Sequence, residues 1–163
     1  MELKEEIKSV ILAPLEAGDE RMIGVELEDF IYDKKSKRIP VNPGSKYSAF
    51  DLLKNLIDLQ VNDKYKAFYS IEPGGQIEWA STPRRSLHDV QIELNSHQKR
   101  LKHLLTIHQL EKIDLSVEPI YLPNEIDFID HKKYKLMHEL FLRTGKHGPW
   151  MMRNTTSIQV NID

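Results

Sequence analysis

The stretch KAFYSIEPGGQIEWA, residues 66–80, decides the fold. Two short runs rich in aromatic and β-branched residues flank a Pro-Gly-Gly sequence at 73–75, a pattern that indicates two antiparallel strands joined by a tight turn. The first arm ends with Glu72 and the second carries Glu78. Because like charges that face each other across a strand pair are destabilising, we expect a positively charged group close to these two carboxylates.

The spacing of apolar residues predicts the elements around this hairpin. Apolar residues recur at helical spacing in four segments, residues 2–12, 48–57, 86–110 and 134–145. Alternation predicts three further strands, over residues 22–33, within 114–122 and over 155–163. We expect the last of these to bury one face, formed by Thr156, Ile158, Val160 and Ile162. The tight hairpin requires antiparallel pairing, so we predict an α+β fold, with a largely antiparallel sheet flanked by helices in a single domain, 1–163.

Composition narrows the class of protein. With 40% apolar and 29% charged residues among 163, the chain is ordinary for a soluble domain. A net charge of −2 argues against a nucleic-acid partner, and no apolar run is long enough for a membrane span. The acidic, amphipathic start differs from a signal peptide, so we expect a cytoplasmic protein. Since the chain has no cysteine, any metal would be held by oxygen or imidazole ligands.

Four glutamates form the main candidate site. Glu26 and Glu28 are two apart on a predicted strand, so they project from one face, roughly 6–7 Å apart. Taken alone, this pair fits a solvent-exposed strand face whose negative charge is balanced by lysines, and the hairpin pair Glu72 and Glu78 can be explained in the same way. Taken together with Glu72 and Glu78, they would place four carboxylates on strands that one sheet can align. Such oxygen-rich clusters suit Mg²⁺, which keeps positions open for substrate phosphates.

Three blocks of the sequence resemble a known family. The blocks are IGVELEDF (23–30), EPGGQIEWASTPRRSLHDVQIELNSH (72–97) and MMRNTTSIQVNID (151–163). They are similar to the signature blocks of glutamate–cysteine ligases of the plant and proteobacterial type, which resemble glutamine synthetase in fold. The resemblance implies an ATP- and magnesium-dependent enzyme that joins the γ-carboxylate of glutamate to the amine of cysteine through a γ-glutamyl phosphate, in glutathione biosynthesis.

The resemblance also implies roles for individual residues. Glu26, Glu28, Glu72 and Glu78 would be the magnesium ligands, while Gln76, Gln159 and Asn161 would line the substrate site. Family members often carry an arginine where this chain has Asn154. The preceding residue, Arg153, is a candidate for binding a substrate carboxylate or phosphate, and Arg84 or Arg85 is the alternative source of the positive charge. No residue is assigned as a catalytic acid, base or nucleophile.

We expect this chain to be the N-terminal portion of such a ligase, inactive alone and completed by the remaining part of the same enzyme. Glutamate, cysteine and ATP would be its small-molecule partners. Two alternatives stay open: a carboxylate–amine ligase of the same superfamily with another acceptor amine, and a non-catalytic binding domain of the same fold.

Overall fold

A computed structural model describes residues 3–12, 21–63 and 66–162. In these residues, helices and strands alternate along the chain. The helices are α1 (Leu3–Leu12), α2 (Ala49–Leu59), α3 (Leu87–Ile107), α4 (Lys132–Thr144) and α5 (Gly148–Arg153), with a short 3₁₀ turn at Pro123–Glu125. The strands are β1 (Ile23–Asp33), β2 (Phe68–Ile71), β3 (Ile77–Ala80), β4 (Leu110–Ile113) and β5 (Ile158–Ile162). No described helix has the length and apolar character required to cross a membrane.

Strand β1 is the centre of a five-stranded antiparallel sheet. Its first half lies between β3 and β5, because Glu26 pairs with Ala80 on one side and with Gln159 on the other. Its second half pairs with β4, and β2 lies outside β3. The predicted α+β class and antiparallel sheet are confirmed. An 11-residue strand with three partners also brings together segments that are far apart in the sequence.

The predicted hairpin forms as expected. β2 and β3 pair with Ser70 opposite Glu78, and Glu72 N donates to Gln76 O at 2.9 Å, next to the turn. Gly75 closes the turn with a φ of +82°, a conformation that residues with a Cβ rarely adopt. The turn chemistry of the sequence therefore fixed the register of this pair.

Helices α2 and α3 form the layer that packs on the sheet. Ser48 and Asp51 complete a capping box at the start of α2, and the Ser86 side chain caps α3. The core between helices and sheet is built from the apolar faces of both, with Trp79 fully buried, as its position next to Glu78 predicts. Its other large members include Leu52, Leu56, Ile77, Leu101, Leu104 and Tyr69.

A buried ion pair joins three parts of the fold. Arg38 Nη1 donates to Glu118 Oε2 at 2.7 Å, and the same oxygen accepts from the Tyr32 hydroxyl at 2.5 Å. Arg38 Nη2 donates to the carbonyl oxygen of Gly74 at 2.7 Å, and the guanidinium stacks over Phe30. The network therefore connects the end of β1, the hairpin turn and the segment that follows β4.

Two sequence predictions after α3 are wrong in detail. The strand predicted within 114–122 contributes only an isolated bridge between Val117 and Thr155, whereas β4 begins earlier, at Leu110. The helix predicted to reach residue 110 ends at Ile107 instead. The turn between α3 and β4 contains no glycine or proline. Gln109 itself adopts the left-handed conformation there, with a φ of 55°. The sequence therefore lacks the usual signal that a helix has ended.

The predicted burial of the last strand is wrong for three of its four residues, because Thr156, just before the strand, is the one that is buried. Strand β5 forms, but Ile158, Val160 and Ile162 are 58–72% exposed. They share a face with Val25 and Leu27 of β1, which pack against the edge of the core, whereas the side chains of β5 do not belong to it. Alternation correctly gave the two faces of the strand, and it cannot say whether another element covers them.

Candidate active site

One face of the sheet carries the predicted polar residues. Residues that pair directly across antiparallel strands point to the same face, and Glu28 pairs with Glu78, which pairs with Ser70. The same face continues through Glu72 and Gln76 beside the hairpin turn. On the other side of β1, Gln159 and Asn161 of β5 complete it. The predicted metal ligands and the predicted substrate-lining residues of β5 therefore lie on a common surface.

Three of the four glutamates interact electrostatically. Burial, followed by the charges of Glu78 and Glu28, raises the pKa of Glu72 to about 7. The pKa of Glu28 is raised as well, first by burial and also by Glu78, although hydrogen bonds from Ser157 oppose the rise. Burial is the largest cause of both shifts, and the nearby like charges add to it, because both disfavour the ionised form of a carboxyl. The cluster has more negative charge than its surroundings neutralise.

Neutral donors on the neighbouring strands hold the carboxylates. Asn161 Nδ2 donates to Glu26 Oε1 at 2.8 Å, and Ser70 Oγ donates to Glu78 Oε1 at 2.5 Å. Ser157 donates to Glu28 through both its backbone N–H and its hydroxyl. Hydrogen bonds of this kind orient a carboxylate without cancelling its charge.

The positive group expected close to the hairpin carboxylates does not form an ion pair with them among the described residues. Within residues 3–12, 21–63 and 66–162, no lysine, arginine or histidine forms an ion pair with Glu26, Glu28, Glu72 or Glu78. Lys133 of α4 acts from farther away and lowers the pKa of Glu72. The cluster therefore has the oxygen donors and the uncompensated charge that suit a hard cation. As the described side chains stand, however, no group of three or more of them is placed to enclose a metal ion.

Gln76 lies on the same face as Glu78 but is buried. Its Nε2 donates to the carbonyl oxygen of Thr155 at 2.8 Å, which ties the hairpin to the segment before β5. Its Oε1 is buried without a hydrogen-bond partner among the described residues.

The two candidate arginines are engaged elsewhere in the fold. Arg153 is 4% exposed, and its Nη1 donates to the carbonyl oxygens of Pro123 and Ile126 while Nη2 lies 2.9 Å from His138 Nδ1. Arg84 forms an ion pair with the buried Glu93 of α3. The structure thus gives both side chains structural partners and does not bring either to the carboxylates.

Three residues of this surface were missed from the sequence. Ser70 and Ser157 matter only because the strand register sets them beside Glu78 and Glu28, and small hydroxyl residues on a strand carry no signal of their own. Lys133 comes from a helix more than fifty positions after the hairpin, so no local pattern could have indicated it.

Comparison with known proteins identifies the family. The model of a family described as glutamate-cysteine ligase family 2 matches residues 22–163, nearly all of the sequence. The chain belongs to this family, as the three sequence blocks predicted.

Its relatives are plant enzymes that are considerably longer. Chloroplastic glutamate–cysteine ligase B of Oryza sativa subsp. japonica is 26% identical over 173 residues, an alignment that covers 98% of this chain and 34% of the rice protein. The chloroplastic glutamate–cysteine ligase of Arabidopsis thaliana is 24% identical, over 98% of this chain and 32% of its own length. The one from Brassica juncea is 30% identical over a shorter stretch of 98 residues, which covers 60% of this chain and 19% of the relative. The chain thus spans about a third of the length of the rice and Arabidopsis proteins.

Proposed function

We propose that this chain is the N-terminal part of an ATP-dependent ligase that joins the γ-carboxylate of glutamate to the amine of cysteine. Family membership and the names of the plant relatives support this activity. In the proposal, glutamate, cysteine and ATP bind the complete protein, and the rest of the polypeptide supplies the groups that this third lacks. The product is γ-glutamylcysteine, which feeds glutathione biosynthesis.

The observation that carries the proposal is the cluster of glutamates on the open face of the sheet. The charges of Glu78 and Glu28 add to burial in raising the pKa of Glu72, that of Glu78 also raises the pKa of Glu28, and none of the three has an ion-pair partner among the described residues. A protein that kept such a cluster only for stability would gain by neutralising it. A bound divalent cation would offset the repulsion among these carboxylates, because each of them would then be attracted to the same positive ion.

In the proposed site, the glutamates Glu26, Glu28, Glu72 and Glu78 hold Mg²⁺. When bound, the ion would neutralise charge on the phosphates of ATP during transfer. Glutamate side chains have three rotatable bonds, so small rotations can turn carboxylates on one face toward a common ion. Gln159 and Asn161 lie on the same face and would contact substrate beside it. Arg153 and Arg84 are the weakest members of the proposed site, because both already have structural partners.

Divalent-cation binding tests this site directly. We expect Mg²⁺ and Mn²⁺ to raise the thermal unfolding temperature of the chain, since a ligand that binds only the folded state stabilises it by mass action, about 2.7 kcal/mol at a hundredfold excess over Kd. The substitution Glu78→Gln removes one charge but keeps the shape of the side chain, and it should abolish most of the shift. Isothermal titration calorimetry gives the affinity independently.

A matched control separates a local site from general screening. Glu139→Gln removes the same charge from α4, where Glu139 is exposed and forms an ion pair with Arg143. This variant should respond to Mg²⁺ like the unaltered chain. Equal responses of the Glu78→Gln and Glu139→Gln variants, or no response in the unaltered chain, would contradict the proposed metal site.

The activity itself belongs to the complete protein in this proposal. The 163-residue chain alone should release no ADP from ATP with glutamate, cysteine and Mg²⁺, whereas the full-length protein should release it only when a suitable amine is present. Replacing cysteine by other amines distinguishes this ligase from one with a different acceptor. We also propose the cytoplasm as its location, on composition alone; the relatives are named as chloroplastic.

A further inference from the structure

Glu28 is held more completely than the other carboxylates of the cluster. Ser157 N donates to Glu28 Oε2 at 3.1 Å, and Ser157 Oγ donates to Glu28 Oε1 at 3.0 Å. The backbone N–H of Glu28 donates in return to the carbonyl oxygen of Ser157 at 3.1 Å. Two residues that are 129 positions apart are therefore joined by three hydrogen bonds, and both carboxylate oxygens take part.

These hydrogen bonds to Glu28 differ in number from those to the neighbouring glutamates. Among neutral donors, Asn161 holds one oxygen of Glu26 and Ser70 holds one oxygen of Glu78, whose other partner is the carboxyl group of Glu72. A single bond leaves a carboxylate free to turn about it, whereas two donors on two oxygens fix its plane. Glu28 is thus the carboxylate of the cluster whose orientation the fold specifies.

Packing does not explain Ser157. The residue is exposed and precedes β5, outside the apolar core. The register would form without its hydroxyl, because β5 pairs with β1 through backbone hydrogen bonds. The hydroxyl has two neighbours, Glu28 Oε1 at 3.0 Å and Gln159 Nε2 at 3.3 Å, and both belong to the polar face.

We propose that Ser157 is a positioning residue, which presents the Glu28 carboxylate in a fixed orientation to a divalent cation. This inference rests on the proposed function and names a residue that the sequence blocks did not assign. A carboxylate that accepts two hydrogen bonds keeps further lone pairs for a metal ion. Partners that orient a metal-binding side chain in this way commonly contribute about tenfold or more to metal affinity.

The test measures Mn²⁺ affinity of the chain by calorimetry and by electron paramagnetic resonance of free Mn²⁺, so it does not depend on ligase activity. Ser157→Ala removes the hydroxyl and keeps the backbone donor, and it should weaken Mn²⁺ binding about tenfold. Ser157→Thr keeps the hydroxyl and should bind like the unaltered chain. Ser116→Ala, an exposed serine without a contact to Glu28, is the control and should change nothing.

The outcomes separate this inference from the function on which it rests. If the unaltered chain binds Mn²⁺ and Ser157→Ala binds it equally well, Ser157 does not position Glu28, and the proposed metal site stands. If the unaltered chain binds no Mn²⁺, both proposals are overturned. If Ser157→Thr binds as weakly as Ser157→Ala, the hydroxyl is not the group that matters and the inference is overturned as well. Thermal unfolding of each variant shows that it is folded, as expected for a change at an exposed position.

Discussion

At the scale of single residues, Glu72 illustrates how a site can weaken the fold that carries it. Its pKa is about 7 in the folded chain, above the ordinary 4.5, because of burial and the charges of Glu78 and Glu28. The folded state therefore binds a proton that the unfolded chain releases between these values. Protonated Glu72 contributes stability that is fully present below about pH 4.5 and is lost as the pH rises through about 7.

The variant Glu72→Gln tests this linkage. The amide mimics the protonated side chain, so in the absence of metal the variant should exceed the unaltered chain in unfolding free energy by about 2 kcal/mol at pH 8. The difference should shrink toward zero below pH 4.5. Urea denaturation with a chelator, at pH 4.5 and pH 8, measures both values. A difference that does not change with pH would show that charge is not the cause.

Gly74 lies where two distant parts of the chain meet. A Cβ added there would lie 2.6 Å from Arg153 Cα and 2.7 Å from Arg153 O, which are backbone atoms that cannot turn aside. We therefore expect Gly74→Ala to lower the unfolding free energy by about 1–3 kcal/mol. Gly44→Ala is the control, because nothing lies within 4 Å of its added Cβ. Comparable losses in both variants would refute the explanation by crowding.

Predictions for single residues were confirmed where the alternation along one strand was enough to make them. The spacing of Glu26 and Glu28 gave their shared face, and the position of Trp79 gave its burial. They could not give contacts with remote partners. The family resemblance made Arg153 a candidate substrate ligand, and no local pattern indicates the carbonyl oxygens and the His138 ring that its guanidinium contacts in the fold.

At the scale of elements, β5 is the exposed part of the sheet. Its apolar side chains are uncovered, and among the described residues its only partner is β1. Edge strands without charge or proline pair readily with other chains. We expect the chain to associate as its concentration rises, through this strand.

Sedimentation of the variant Val160→Lys checks this expectation. A lysine in the middle of the strand should reduce the associated fraction by repulsion and solvation, with little effect on stability because Val160 is 58% exposed. Val61→Lys makes the same change at a site of equal exposure, 57%, after α2. If both variants lower association equally, the edge of β5 is not responsible.

The elements themselves were predictable to different degrees. Long amphipathic or alternating segments, such as α3 and β1, were found from periodicity. The four-residue β4 and the six-residue α5 were missed, because segments of this length contain too few repeats to define a period. Their positions are set by pairing with β1 and by packing beside α4, which only the folded chain shows.

At the scale of the whole molecule, the buried pair of Arg38 and Glu118 connects the hairpin to the segment after β4. The substitution Glu118→Gln keeps the size of the side chain but leaves the guanidinium, which also holds Gly74 O, without its counter-charge. Breaking one side of a buried pair costs about 3–5 kcal/mol. We expect a loss of about 3 kcal/mol in unfolding free energy, measured by urea denaturation.

The exposed pair of Lys135 and Asp130 provides the comparison. Asp130→Asn should leave the unfolding free energy almost unchanged, because exposed ion pairs contribute little to stability. If Glu118→Gln is as mild as Asp130→Asn, the buried network does not hold the hairpin in place.

The central place of β1 has a consequence for how the protein is made. Glu26 and Glu28 are synthesised about 130 residues before Ser157 and Asn161, the residues that donate hydrogen bonds to them. At a synthesis rate of about 5–20 residues per second, several seconds therefore pass before the residues that donate these hydrogen bonds have been synthesised. The surface that carries these glutamates is therefore among the last parts of this region to be completed on a nascent chain.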